Sequence, residues 1–306
     1  MRLHWQKRGL VFDPRERSPW MKSHATSPFA LPLGGDRFRV YFSTRDAENR
    51  ASIGHAELDL GDAPRLLSVA ERPVLAPGPL GHFDDHGVYA RCLVEAGGRH
   101  WMYYLGWNPG ARPPLFYCAI GLASSGDGGL TFARESQAPI IDRCDVDPWC
   151  VLLPWVMRED GRWRMWYAAG IEWREVEGKL QSYYHIKYAE SEDGRAWKRE
   201  GLVCIPLREG ESNIGHPCVV RHDGRYHMWY SYDRGQRYRI GYAESEDGLA
   251  WTRRDAEVGI SVSEAGWDSE MVCQPYVFRH RDRWLMLYNG NAFGRDGIGL
   301  AVAHDE

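Results

Sequence analysis

The segment Tyr188-Ala-Glu-Ser-Glu-Asp-Gly-Arg-Ala-Trp197 returns as Tyr242-Ala-Glu-Ser-Glu-Asp-Gly-Leu-Ala-Trp251, with Arg195 against Leu249 as the one exchange. Leu122-Ala-Ser-Ser-Gly-Asp-Gly-Gly-Leu-Thr-Phe132 is a looser copy. Each reads as a strand, an Asp-Gly turn and an aromatic that opens the next strand. Asp-Gly between two β-type runs signals a hairpin, because glycine accepts positive φ and aspartate bonds the local backbone.

Working outward, an aromatic strand recurs five times, as Arg37-Phe-Arg-Val-Tyr-Phe42, Arg99-His-Trp-Met-Tyr-Tyr104, Arg162-Trp-Arg-Met-Trp-Tyr167, Arg225-Tyr-His-Met-Trp-Tyr230 and Arg283-Trp-Leu-Met-Leu-Tyr288. Each is followed by a short run centred on isoleucine: Ile53, Ile120, Ile186, Ile240 and Ile298. Each is preceded by an apolar strand that begins at Pro28, Arg91, Pro154, Pro217 or Pro275. From Arg91 onward the offset to the following methionine is constant (Met102, Met165, Met228, Met286). Four antiparallel strands at a period of roughly 40 to 65 residues describe propeller blades. The expectation is therefore an all-β, five-bladed β-propeller forming one domain over residues 1–306. The fifth copy lacks its last strand. Trp5-Gln-Lys-Arg-Gly-Leu-Val-Phe12 reads like Trp197-Lys-Arg-Glu-Gly-Leu-Val-Cys204 and is expected to fill that place, closing the ring.

Composition agrees, with 14 Trp and 16 Tyr favouring strands. A net charge of -4 gives no electrostatic footprint for nucleic acid. No apolar run is long enough for a membrane span, and the first residues lack the apolar core of a signal peptide. The seven cysteines form no C-x-x-C pair, which points to free thiols in a cytoplasmic protein, although Cys144 and Cys150 are close enough in sequence to bridge. No metal-ligand spacing and no cofactor motif is present, even though His24, His86 and His216 precede strands in three different copies.

In such a ring the segments before each first strand and the loops between second and third strands converge on a central funnel. Here they hold His24, Asp84, Asp85, His86, Asp147, Glu211, His216, Asp268, Glu270 and Gln274, together with Arg45, Trp107, Asn108, Arg234, Asn289, Asn291 and Arg295. Carboxylates and amides for hydroxyls, with an aromatic face for the C–H side of a ring, are what a sugar needs. A small-molecule or oligosaccharide ligand is the expectation. Trp107 is the stacking candidate, and Asn108, Asn289, Asn291 and Gln274 are hydroxyl binders. Arg45 and the histidines are further binding candidates, Arg45 suited to holding an acidic group. Asp147 precedes Pro148 and reads as a turn cap.

Ser125-Gly-Asp-Gly-Gly-Leu-Thr-Phe132 resembles the Asp box of sialidase-like propellers, a structural hairpin. Over the whole chain, Phe83-Asp-Asp-His-Gly-Val88, Tyr103-Tyr-Leu-Gly-Trp-Asn108, Trp267-Asp-Ser-Glu-Met-Val-Cys-Gln-Pro275 and Tyr288-Asn-Gly-Asn291 resemble a bacterial glycosidase-related branch of the five-bladed glycoside hydrolase propellers. That group includes arabinanases, β-xylosidases, invertases, levansucrases and mannoside phosphorylases. The resemblance implies chemistry at a glycosidic bond, which needs one carboxyl group to protonate the leaving oxygen and another to activate water or attack carbon. Asp85 and Glu270 are the leading candidates, with Asp84 beside Asp85 as a like-charge neighbour that raises a pKa, and Glu211 and Asp268 second. The sequence departs from the group at His24-Ala-Thr-Ser27, which offers no carboxylate, and at Val88-Tyr-Ala-Arg91, where the phosphorylases carry Glu-Asp-Pro-Arg. Glycosyl transfer or phosphorolysis, and sugar binding without catalysis, are the alternatives.

Overall fold

A computed structural model describes residues 1, 3–235 and 237–304. The chain is all-β. A strand β1 (Gln6–Phe12) precedes four sets of four consecutive strands and a final set of three. The first set is β2 (Ser23–Gly34), β3 (Arg37–Arg45), β4 (Ala51–Asp59) and β5 (Arg65–Val69). The second is β6 (Gly87–Ala96), β7 (Arg99–Pro109), β8 (Phe116–Ser125) and β9 (Ala133–Arg134). The third is β10 (Val151–Glu159), β11 (Arg162–Val176), β12 (Lys179–Ser191) and β13 (Val203–Ile205). The fourth is β14 (Ile214–His222), β15 (Arg225–Asp233), β16 (Tyr238–Ser245) and β17 (Thr252–Arg253). The last is β18 (Cys273–His280), β19 (Arg283–Asn289) and β20 (Ile298–His304).

Neighbours within each set pair antiparallel, and β1 pairs antiparallel with the outer edge of β20. A single parallel bridge, Ala51 to Gly87, links the first two sets. The first strands touch one another in a cycle: β2 with β6, β6 with β10, β10 with β14, β14 with β18, and β18 with β2.

The Asp-Gly turns explain why the repeats stay in register. Asp193 accepts from the amides of Arg195 and Ala196 at 2.8 Å each, and Gly194 sits at φ 75°. The turn carbonyls are then bonded by an aromatic of the preceding set: Tyr41 to Gly129 at 2.7 Å, Tyr103 to Gly194 at 2.9 Å, and the Trp166 indole to Gly248 at 2.8 Å. Trp5, on the approach to β1, meets Trp229 edge-on at 6.5 Å between ring centroids. The acidic repeat that dominates the sequence thus serves packing between sets. Central strands such as β3 are buried on both faces, as stacked sheets require. All seven cysteines are free, Cys144 and Cys150 included. Among the described residues, no helix is long and apolar enough to cross a membrane.

Candidate functional site

Every first strand is bulged in its first half, where its register against the second strand shifts; β2 carries further shifts on either side. In four of them the bulge residue has a left-handed backbone: Ser27 (φ 56°), Leu153 (φ 56°), His216 (φ 55°) and Gln274 (φ 56°). Proline follows each of these four residues. Proline lacks the N–H that a regular ladder would use, and the extra residue turns its own side chain out of the pleat. The four side chains thereby line a cavity of about 590 Å³. Its walls are Arg45 and Asn49 after β3, Tyr89 from β6, Trp107 and Phe116 around the β7–β8 loop, Tyr184 from β12 and Phe293 from the β19–β20 loop.

The polar groups of this cavity are few and uncommitted. His216 is 9% exposed and its Nδ1 has no partner, and burial holds the imidazole well below its ordinary pKa. Gln274 accepts from the Ser27 amide at 2.6 Å and from the Thr26 hydroxyl through Oε1, which leaves its amide nitrogen for the cavity. The Trp107 indole N–H and the Arg45 Nε have no well-aligned partner, although both side chains approach the Tyr89 hydroxyl. Arg45 reaches the Asn49 side chain at 3.1 Å. Among the described residues, no aspartate or glutamate lines the cavity. No group of three or more His, Cys, Asp or Glu side chains forms a candidate metal site among them either.

The carboxylates predicted for the funnel lie elsewhere. Asp84, fully buried, accepts from the Tyr104 hydroxyl at 3.1 Å and is paired with Arg134 at 2.7 Å. Asp147 accepts from Tyr167 at 2.9 Å and pairs with Lys187 and Arg199, each at 2.9 Å. Asp268 accepts from Tyr288 at 2.9 Å and pairs with Lys7 at 2.6 Å. In the fourth set Asp255 takes the Tyr230 hydroxyl and Arg253, while Glu211 holds Arg253 in a two-pronged pair at 2.7 and 2.8 Å. Burial pushes the Glu211 carboxyl up, but the Arg253 hydrogen bonds, the Arg208 amide and the charges of both arginines together hold Glu211 below the usual range. Burial, and then the neighbouring carboxylate, raise all four tyrosine hydroxyls, so they remain proton donors. These are tyrosine–carboxylate–cation clamps that tie the segment before a first strand to its own set. They hold Asp84, Asp268 and Glu211 outside the cavity lining, whereas the sequence expectation places them at the funnel; Asp84 Oδ1 alone among the clamp aspartate oxygens is buried without a partner.

Asp85 is half-buried and outside the cavity lining. It accepts from the Gly81 amide at 2.8 Å and from the Asn108 side chain, which also donates to the His82 carbonyl at 3.0 Å. Glu270 is exposed. Its amide is held at 2.8 Å by Asn291, whose side chain also binds the Gly266 carbonyl at 3.0 Å. Asn289 is fully buried and bonds Ser27, Ala25 and Gly297. Asn108, Asn289 and Asn291 therefore brace loops instead of facing a ligand. His86 packs edge-on against Trp107 at 4.7 Å between ring centroids and supports it from outside the cavity. His24 bonds Ser23 at 2.8 Å; burial, then Arg45 and Arg295, lower its pKa to about 4. Of the predicted binding residues, Arg45, Trp107, His216 and Gln274 come together in one cavity. Ser27, Tyr89, Leu153 and Tyr184 were not predicted.

No family model matches the sequence. The chain is 41% identical over 301 residues to "Uncharacterized protein MT1551" of Mycobacterium tuberculosis strain CDC 1551, covering 98% of this chain and 99% of the relative. It is 40% identical, over the same shares, to "Uncharacterized protein Rv1502" of Mycobacterium tuberculosis strain H37Rv. Among solved structures it superposes on a protein titled "Glycoside hydrolase" with TM-score 0.76 at 18% identity, covering 100% of this chain and 93% of the other. A putative glycosidase from Bacteroides thetaiotaomicron gives TM-score 0.73 at 16% identity, covering 98% and 96%. A family 117 glycoside hydrolase from Zobellia galactanivorans gives 0.67 at 13% identity, covering 99% and 90%. At these identities the likeness is one of fold, a glycoside hydrolase-like propeller.

Proposed function

The chain belongs to the family of those two Mycobacterium tuberculosis proteins, and on that footing we propose that it is a carbohydrate-binding propeller whose ligand sits in the cavity floored by the bulges. Under this reading the five strand sets are five blades of one domain over residues 1–306, with β1 closing the ring. The cycle of contacts among the first strands and the β1–β20 pairing support that arrangement. The observation that carries the function is the lining itself. An aromatic wall at Trp107, Tyr89 and Tyr184 faces uncommitted polar atoms on His216 and Gln274, with no carboxylate among them. Such a surface can stack on a sugar ring and bond its hydroxyls, but it has no acid and base to divide a glycosidic bond. Titration calorimetry against a panel of mono- and oligosaccharides tests it. Binding that disappears in Trp107→Ala is the expected result, and a panel with no binder counts against it.

A second reading is cleavage or transfer at a glycosidic bond, with Asp85 and Glu270 as acid and base. It is supported by the glycoside hydrolase titles of the fold neighbours and by the absence of these two residues from the clamps. Asp85→Asn and Glu270→Gln should each abolish turnover of whichever glycoside is bound while leaving the fold intact. Turnover retained in both variants ends this reading.

A further inference from the structure

Beneath the cavity floor, the position that opens each apolar run is Pro28, Pro154, Pro217 or Pro275 in four sets and Arg91, the extra residue of its own bulge, in the second. The exception places a guanidinium among the first strands, where the other sets place a ring without charge. Arg91 is 3% exposed. Among the described residues its one hydrogen bond is a long one, 3.4 Å to the carbonyl of Pro217, and its Nε has no partner. No aspartate or glutamate is among the groups that act on it; the acidic groups that do are the thiols of Cys92 and Cys218. Burial pushes both thiols up to about 12, so neither is a thiolate at neutral pH. Burial also lowers Arg91, to about 10, which still leaves it charged. The neighbouring His216 is neutral, with an uncommitted Nδ1. Each clamp described above matches its cation, buried or half-buried, with a carboxylate. Arg91 is a fully buried cation among the described residues with no such match, and a lone buried charge is too costly to leave uncompensated.

We propose that the core beneath the cavity holds a small inorganic anion of halide size, bound by the Arg91 guanidinium. A monovalent anion neutralises the single charge, and the planar fork offers it two convergent N–H groups. A larger oxyanion is a poorer fit beside the neutral thiols of Cys92 and Cys218, because it would leave oxygens of its own unpaired. This site does not depend on the sugar reading; it is set by the first strands alone.

The experiment uses the full chain in two arms. Crystals grown in sodium bromide should show an anomalous peak within hydrogen-bond distance of Arg91. Thermal unfolding at constant ionic strength, with gluconate replaced stepwise by chloride, should raise the Tm of the wild type by about 4 °C or more. Arg91→Met, an apolar side chain of similar length, should melt at or above the wild type in gluconate and lose the chloride response. A wild-type Tm indifferent to chloride overturns the proposal, and that measurement stands even if the variant does not fold. A bromide peak without any chloride response marks an adventitious ion only and overturns it equally. Sugar affinity measured in both salts separates the readings: loss of the anion effect with sugar binding intact refutes only the anion site.

Discussion

The outer clamps and the cavity floor are built from the same repeat and spend their polar groups in opposite ways. In the clamps every buried charge is matched: the Asp147 carboxylate takes Tyr167, Lys187 and Arg199 at once. At the floor the backbone is held in a sparsely populated conformation at Ser27, Leu153, His216 and Gln274, and side-chain atoms are left without partners. A left-handed non-glycine residue costs about 1–3 kcal/mol, and such strain persists only where the surroundings impose it. The clamps help to impose it, because they anchor the segments that lead into the first strands. Strain and unpaired donors together mark the floor as the place for a ligand. The density of aspartate elsewhere marks stability.

The widest break between the two regions is expected from Asp147→Ala. It leaves the buried Lys187 and the half-buried Arg199 without a counter-charge, so stability should fall by about 3 kcal/mol in urea unfolding, while ligand affinity per folded molecule is unchanged. An affinity loss comparable to the stability loss would place Asp147 at the site instead. Trp107→Ala should do the reverse. Its indole is a cavity wall braced by His86, so affinity should fall by about 2 kcal/mol, roughly thirtyfold, with a smaller cost in stability. Calorimetry and unfolding on the same preparation read both quantities.

The fold was legible because its signals are local. Asp-Gly turns, aromatic strands and Met-centred periodicity each sit within a few residues, and they located the strands and the β1 segment. The site was legible only in part. Whether Asp84 faces the centre is decided by Tyr104, 20 residues on, and Arg134, 50 residues on, while Asp268 is held by Lys7 from the far end of the chain. A usable signal was present: Asp84, Asp147 and Asp268 each precede their clamp tyrosine by the same 20 residues. The floor was hidden for another reason. A residue before proline ordinarily adopts extended backbone, so local rules place Leu153 and Gln274 in a regular strand. Their left-handed geometry comes from the bulge, which depends on pairing with the second strand. Arg91 was visible as the one copy without proline at the start of its apolar strand, but its lack of a counter-ion is a fact of three dimensions.

His216→Gly gives the finest test of the contrast, because it removes strain and an unpaired donor together. At pH 7.5 the loss of side-chain packing is offset by relief of the left-handed backbone, and stability should change by about 1 kcal/mol or less. The difference should grow in acid. The folded imidazole is held far below its ordinary 6.5 by burial, then by the Arg91 charge, so as pH falls below 6.5 the unfolded chain takes up a proton that the folded chain refuses. Stability attributable to a neutral His216 is therefore complete above 6.5 and is lost as pH falls toward the depressed folded value. At pH 5 this amounts to at most about 2 kcal/mol, measured in gluconate so that no small anion assists protonation. The wild type should lose that much more than the glycine variant between pH 7.5 and pH 5. Parallel pH profiles for the two proteins would mean that the folded His216 takes up its proton as readily as the unfolded one, and at pH 5 the floor would then hold two buried cations in place of one.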